Sequence, residues 1–569
     1  IFGSKSGLEL YSNSFYKALP TLKNGFMQDK MCDVGAVSNT DTFIKQGAYN
    51  TETATSWSWG ALKNVNYFID GCNDPKYCTV EAETRDNYLG IARWFRAWFY
   101  YDKLTTYGEV PWFPNDIQSY QNDVMYKDRD SRDVIIRNLI ADLDFAYEHI
   151  QATSSTGSAT LTRWAAAALK SRVCLFEAAY RRYHNLTGLE ITPEELYREA
   201  AKAAKLVIDN SGCSLNTAAG KKGAYRDLFY SETPLTQEVI LAVCANEKSG
   251  IFGEQNWWFN ARSYGLCWSL VRSFVHTYLK QDGTPFTAAA DYAVKSFAEE
   301  MEGRDLRLEQ TVRGRNFLWD GKTAVADIKN LSLTGYQVIK YTLDESKYDG
   351  GAKNINSIPL IRYAEVLLNY AEAQAELGVI TDSEWALTVG ALRKRAGITG
   401  GTETLPTTVD SYLQRTFYPD VTSPVLLEIR RERAIELVAE GMRFDDLRRW
   451  KCGSLMETLP WSGIHIPGLE QPVDVNGDGV NDYYFTEGEV ASAPAAYKNI
   501  AVRVNQDGVG LYAEANPVSG YDLVYKTGAG DRYWYPDGRQ YLYPIPAKVI
   551  RDYRNAGYTI SQNPEWDNE

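Results

Sequence analysis

Leu427-Glu-Ile-Arg-Arg-Glu-Arg-Ala-Ile-Glu-Leu-Val-Ala-Glu-Gly-Met-Arg-Phe-Asp-Asp-Leu-Arg-Arg-Trp450 is the stretch whose reading decides the fold. Leu427, Ala434 and Val438 fall at helical spacing, and Ile435 widens that face. Glu428 and Arg431, Arg433 and Glu436, and Glu440 and Arg443 each stand three apart, which predicts pairs along the outside of one helix. Gly441 is expected to relax the backbone before Phe444, Leu447 and Trp450. Taken by itself, the run predicts a salt-bridged helix on a core, whatever the function.

Outward from this run the chain reads as mainly α. Between Thr84 and Tyr107, Tyr88, Ile91, Ala92, Phe95 and Phe99 recur at three and four, and Gly108 with Pro111 ends the segment. A second helix is predicted after Thr162, where Ala165, Ala168, Leu169, Arg172, Phe176 and Ala179 share a face. Its small residues would let a partner helix approach closely. Thr192-Pro-Glu-Glu195 predicts a helix start, with Thr192 as N-cap, Pro193 in the first position and Glu195 completing a capping box. Helices paired in this way suggest a tetratricopeptide-like array, although the strict period of roughly 34 residues is not legible. From Ser214 to Asn356 the texture turns to Gly, Asn and aromatic residues with short strand-like pieces such as Val239-Ile-Leu-Ala-Val243, read as long ordered loops over the helical body. Helical signals return at Pro359 to Gly378 and from Pro424 to Trp450, and the tail from Cys452 is rich in Gly and Tyr without periodicity.

Further motifs stand in order along the chain. Ala92-Arg-Trp-Phe-Arg-Ala-Trp-Phe-Tyr-Tyr-Asp-Lys-Leu-Thr-Thr-Tyr-Gly-Glu-Val-Pro111 ends in a Tyr-Gly-x-Val-Pro turn. Gly303-Arg-Asp-Leu-Arg307, Gly335-Tyr-Gln-Val-Ile-Lys-Tyr341, Ile361-Arg-Tyr-Ala-Glu-Val-Leu-Leu-Asn-Tyr-Ala-Glu-Ala-Gln-Ala-Glu-Leu377, Leu542-Tyr-Pro-Ile-Pro-Ala547 and Gln562-Asn-Pro564 follow. With the 427–450 run, this series resembles the SusD/RagB family, surface lipoproteins of Bacteroidetes that capture nutrients for an outer-membrane transporter. The resemblance implies a SusD-like fold: a tetratricopeptide-like helical array with an extensive loop layer and minor β structure. One unit over 1–569 is expected, with a helical part at 1–213, a loop- and aromatic-rich part at 214–356, signature helices at 357–451 and a Gly/Tyr-rich part at 452–569. It further implies a non-enzymatic, lipid-anchored protein of the outer-membrane cell surface that binds a glycan and delivers it to a SusC-like TonB-dependent transporter. Within the family the alternative is a peptide binder of RagB type; from other classes, a glycan-degrading enzyme or a scaffold that binds only proteins.

Composition bounds the size of the chain and excludes some classes of partner. A chain of 569 residues exceeds the roughly 250–300 that one core usually serves. A net charge of −13 argues against nucleic acid and anionic lipid as partners, and no run of roughly 18 apolar residues exists to span a bilayer. The start at Ile1-Phe-Gly-Ser reads as a trimmed mature form, and the resemblance implies that the missing segment carried the signal and the lipidated cysteine. The cysteines are too sparse for a disulfide framework; Cys72 and Cys78 flank a turn-rich loop and form either a local bridge or two free thiols.

Catalytic patterns are scarce. His149, His184, His276 and His465 are scattered and form no His-x-x-x-His pair. Gly321-Lys-Thr323 has Asn316 where a phosphate loop needs glycine, Gly508-Val-Gly510 lacks a following helix, and no Gly-x-Ser-x-Gly elbow occurs. Aromatic residues are in excess instead, with 15 Trp and 39 Tyr. A sugar ring offers an apolar C–H face to an aromatic ring and hydroxyls to amides and charges. Candidate ligand-binding residues are Trp57, Trp59, Asn64 and Asn66, then Trp257, Trp258, Asn260, Arg262, Tyr264 and Trp268, and Trp319. For any single Trp, core packing is the competing reading. Asp474-Val-Asn-Gly-Asp-Gly-Val-Asn-Asp482 places Asp474, Asn476, Asp478 and Asp482 at positions 1, 3, 5 and 9 of a calcium loop, with Gly479 at the sharp turn and the Val480 carbonyl at position 7. Position 12 is Phe485, so Glu487, Glu489 or water would complete a structural Ca2+ site; an ion-free Asn/Gly/Asp turn is the alternative. No organic cofactor is expected.

Overall fold

Local chemistry sets the ends of the N-terminal helices. The computed structural model describes residues 1–23, 27, 29–261, 266–527 and 529–567. Its first long helices are α1 (Gly60–Asn73), α2 (Ala82–Tyr107), α3 (Arg132–His149), α4 (Arg163–Tyr183) and α5 (Pro193–Asn210). Ser131 and Thr162 cap α3 and α4 with their side-chain oxygens. Thr192 and Glu195 close the expected capping box on α5, with Pro193 at its start. Each helix packs on the next from α1 to α5. The alanines of α4 are buried on both sides, and Trp94 of α2 donates its Nε1 to the Ala165 carbonyl at 3.1 Å. Gly108 ends α2 at φ +73°, where a Cβ would meet Arg132 Nη1 at 2.7 Å, so only glycine fits this turn.

The loop layer begins and ends on one pair of strands. β1 (Val239–Val243), the strand expected there, pairs antiparallel with β2 (Ile358–Arg362). Pro359 therefore does not open a helix as its position suggested. It lies in β2 opposite Ala242, where a strand paired on one side tolerates the missing N–H, and α6 (Tyr363–Glu376) starts after it. α6 packs on α5 and on α7 (Pro424–Glu436), which extends the helical body.

The tail corrects the expectation of an aperiodic segment, because it carries two three-stranded sheets. After α8 (Arg443–Arg449), β3 (Ser462–Ile466), β4 (Pro472–Val473), β5 (Tyr483–Thr486), β6 (Ala501–Arg503), β7 (Leu511–Ala515) and β8 (Tyr521–Tyr525) follow, before α9 (Ala547–Asn555). One sheet has the order β7-β8-β3 and the other β6-β5-β4. All four residues of β5 are buried, so this strand shows no alternation to read. The main hydrophobic core draws on residues from Leu8 to Trp566, with smaller clusters beside it such as that around Trp385 and Ile429. Among the described residues no helix is long and apolar enough to cross a membrane. All eight cysteines are free thiols, and burial, with the Cys78 thiol beside it, pushes Cys72 up to about 12.

The deciding run also departs from its expectation. α7 ends at Glu436, Ala439 and Gly441 take positive φ, and α8 sets off separately. Of the three pairs expected on the outside of one helix, only Glu428 with Arg431 forms, at 3.1 Å, and it is buried. Glu436 instead receives Arg362 at 2.6 Å and Arg307 at 2.8 Å, with Arg395 also in contact. Glu440 takes Arg362 at 2.6 Å and Lys340 at 2.7 Å, Arg433 turns to Asp446 at 2.8 Å, and Arg443 reaches Asp33 at 2.7 Å. Two of the three pairs expected from spacing do not form; their members take other partners, mostly from distant segments, because the helix is enclosed. Removing one member of such a buried set costs about 3–5 kcal/mol, since the remaining charges stay desolvated.

Candidate binding cleft

A cleft of about 1210 Å3 opens between the start of α1, the segment 113–126 and α9. Trp57 and Trp59 form one wall. Their rings meet edge to face at 5.3 Å, and both are half-buried. Trp57 leans on Tyr107 at 5.0 Å, while Trp59 is fixed among Phe99, Tyr100 and Phe113 at 5.2–6.1 Å, so α2 holds both rings from behind. Tyr126 and Tyr553 form the facing wall, edge to face at 5.1 Å. Tyr553 donates its hydroxyl to the Lys127 carbonyl at 3.2 Å, and burial, with nearby Asp128 and Tyr126, raises its pKa to about 12, so it remains a donor at neutral pH. Tyr558 stacks on Tyr126 at 5.4 Å and bonds Asp123, which ties the 113–126 segment to the end of α9.

The polar lining is balanced. Lys63 lies 3.3 Å from Asp116, Arg551 lies 2.6 Å from Glu52, and Lys548 lies 2.6 Å from Asp552. Thr55, Ser119 and Asn555 add hydroxyl and amide groups. Asn66 also lines the cleft, but its amide is occupied: it donates to the Phe113 carbonyl at 2.8 Å and accepts from Arg96 at 3.3 Å. Asn64 lies outside it, bonded to Tyr11 at 2.7 Å and Ser14 at 3.3 Å. Aromatic density in the sequence thus located one wall. Tyr126 and α9 were missed, and only the Tyr content of the tail hinted at them.

The second aromatic segment forms no part of this cleft. Trp257 and Trp258 are half-buried on the short helix Gln255–Asn260, with centroids 6.2 Å apart and the Lys30 ammonium 5.6 Å from the Trp258 ring. Asn260 is buried and bonds Asp349 and Gln337, both at 3.2 Å. Arg262 and Tyr264 lie outside the described residues. Trp268 is core: its ring is 1% exposed and covers Gly35, where a Cβ would stand 2.5 Å from it. Trp319 sits half-exposed on a hairpin, beside Phe317 and with the Arg313 guanidinium 5.1 Å from its ring.

In the Asp474–Asp482 loop the carboxylates face backbone N–H groups. Asp474 accepts from Gly477 and Gly479 at 2.8 Å, Asp478 from Val480 at 2.8 Å, and Asp482 from Val475 at 2.7 Å. Phe485 is fully buried in β5, while Glu487 bonds Asn505 at 2.7 Å and Glu489 lies 3.2 Å from Arg503. Among the described residues no three His, Cys, Asp or Glu side chains gather as a metal-binding group. The histidines are packing residues: His184 stacks on Tyr180 at 4.0 Å, and burial lowers it to about 4. His276 bonds Glu300 at 2.8 Å, His465 bonds Asp522 at 2.9 Å, and His149 lies 4.1 Å from the Phe145 ring.

The aromatic cleft lies on a mainly helical array with a long loop layer and minor sheets, and comparison with known proteins places this fold. The sequence model of the SusD family matches residues 237–566, and the chain belongs to that family. Among solved structures, a SusD-like carbohydrate-binding protein from Bacteroides fragilis NCTC 9343 superposes with a TM-score of 0.69 at 19% identity, covering 97% of this chain and 98% of that one. A SusD superfamily protein from Parabacteroides distasonis ATCC 8503 gives 0.60 at 18% identity, over 99% and 100%. A structure solved with a xylogluco-oligosaccharide gives 0.51 at 18% identity, over 78% and 82%. At these identities the likeness is one of fold. No curated protein matches the chain.

Proposed function

We propose that this protein is a non-catalytic, cell-surface glycan binder that holds an oligo- or polysaccharide in the Trp57/Trp59 cleft and delivers it to a SusC-like TonB-dependent transporter. The observation that carries the reading is the cleft itself, a space of about 1210 Å3 between a Trp pair and a Tyr pair with hydroxyl and amide groups on its rim. Rings held from behind by α2 are already oriented, so little ordering cost falls on binding. Family membership supports the surface location, the lipid anchor and the transporter partner. Affinity gel electrophoresis of the chain in polysaccharide-containing gels tests the reading, alongside a reducing-end assay. Retardation by at least one glycan without new reducing ends is expected. A rise in reducing ends with time would make it an enzyme, and no retardation by any glycan would remove the glycan reading.

We propose in addition that the Asp474–Asp482 loop takes up calcium. Burial and then repulsion from Asp474 and Asp478 push the Asp482 carboxyl up, a repulsion that a divalent cation would relieve. Asp474, Asn476, Asp478 and Asp482 would supply side-chain oxygens and Val480 its carbonyl. Saturating calcium should raise Tm relative to chelator, with about 2.7 kcal/mol expected at a hundred times Kd. An unchanged Tm together with no bound ion by elemental analysis would reject the site.

A further inference from the structure

Every cation that lines the cleft already has a carboxylate in contact. Lys63 has Asp116, Arg551 has Glu52 and Lys548 has Asp552. Behind the first pair stands Asp70, which accepts from the Asp116 backbone N–H and from Asn115, both at 2.8 Å. We propose that the ligand of this cleft is an uncharged glycan, whose sugars carry no carboxylate, sulfate or phosphate; this rests on the glycan reading above.

The Arg551–Glu52 and Lys548–Asp552 pairs are exposed and individually weak, and Lys63 is exposed although Asp116 is largely covered, so pair strength is not what turns an anion away. Their arrangement is. A ligand carboxylate that reached Arg551 would also stand beside Glu52, and one that reached Lys63 would stand beside Asp116 with Asp70 close behind. Attraction and repulsion at nearly equal distance cancel. Nor does the rest of the chain tip the balance toward an anion, since its net charge is −13. What the lining does offer is neutral recognition: the Trp and Tyr rings for sugar C–H faces, and Thr55, Ser119 and Asn555 for hydroxyls.

The test is a glycan array that carries neutral, uronate-containing and sulfated glycans, probed with the chain and with Trp57→Ala and Trp257→Ala. The strongest array ligand is then titrated by calorimetry in about 50 and about 500 mM NaCl, across which exposed charge contacts are screened. The expected result is a neutral ligand whose affinity changes less than about twofold with salt, falls by about tenfold or more in Trp57→Ala and survives in Trp257→Ala. A uronate or sulfate ligand, an affinity that falls about tenfold in salt, or loss in Trp257→Ala alone would each overturn the proposal while leaving the glycan reading standing. No binding to any glycan would sink both, and that outcome is distinct from the others.

Discussion

Arginine–carboxylate pairs occur in two settings in this molecule, and they do opposite work. Around α7 and α8 they are enclosed: Arg307, Arg362 and Arg395 converge on Glu436, and none of these side chains is more than 1% exposed. At the cleft, Arg551 and Glu52 are 50% and 64% exposed. The enclosed pairs fix how distant segments meet, because a buried charge is tolerated only where its partners stand. The exposed pair fixes little; it neutralises charge in the cleft lining. The same chemistry is a frame in one place and a neutral lining in the other, and solvent access decides which.

The largest effect should come from breaking the frame. Glu436→Ala leaves three arginines around an empty position and should lower unfolding free energy by about 3–5 kcal/mol in urea titrations. A loss below about 1 kcal/mol, the range of surface pairs, would erase the distinction. Acid probes the same contrast without mutation. Burial alone would raise the Glu428 carboxyl, but Arg431 and Arg393 override it and bring it down to about 2. Its folded pKa lies below its unfolded value, so its contribution is complete above about pH 4.5 and is lost as pH falls toward 2. Tm measured from pH 6 downward should therefore drop through that window; a flat profile would contradict it.

At the aromatic walls the contrast is between affinity and stability. Trp57→Ala should weaken glycan binding by about tenfold or more, in line with about 1–3 kcal/mol for an aromatic stacking platform in another ligand class. Trp268→Ala should leave affinity unchanged and cost about 3–5 kcal/mol of stability instead. The reverse pattern would exchange the roles of the two segments. Smallest of all, Arg551→Ala should shift stability by no more than about 1 kcal/mol.

Much of the frame was legible because its signals are local. Thr192 to Glu195 states a helix start within four positions, and the alanines of α4 announce close packing. Spacing in the 427–450 run named the right partner only for Glu428 and Arg431; it carries no information about burial, and Arg307, Arg362, Arg395 and Asp33 come from far along the chain. The tail strands were illegible for a related reason: they are short, and β5, buried throughout, leaves no polar face to alternate with. Of the cleft, Trp57 and Trp59 stood out by composition. The facing wall joins Tyr126 to Tyr553, three quarters of the chain apart, and no pattern within either segment points to the other.

The pairing of β1 with β2 has one more consequence. The strand pair opens the layer after Val243 and closes it before Ile358, and its last residue, Arg362, is locked onto Glu238, Glu436 and Glu440. Closing a longer or shorter loop across fixed ends changes the chain entropy only slowly with length. Length can therefore change cheaply in the exposed turns of the layer, but not where Arg307 and Lys340 cross back to Glu436 and Glu440, because those buried contacts nail the layer to the helical body at points other than the neck.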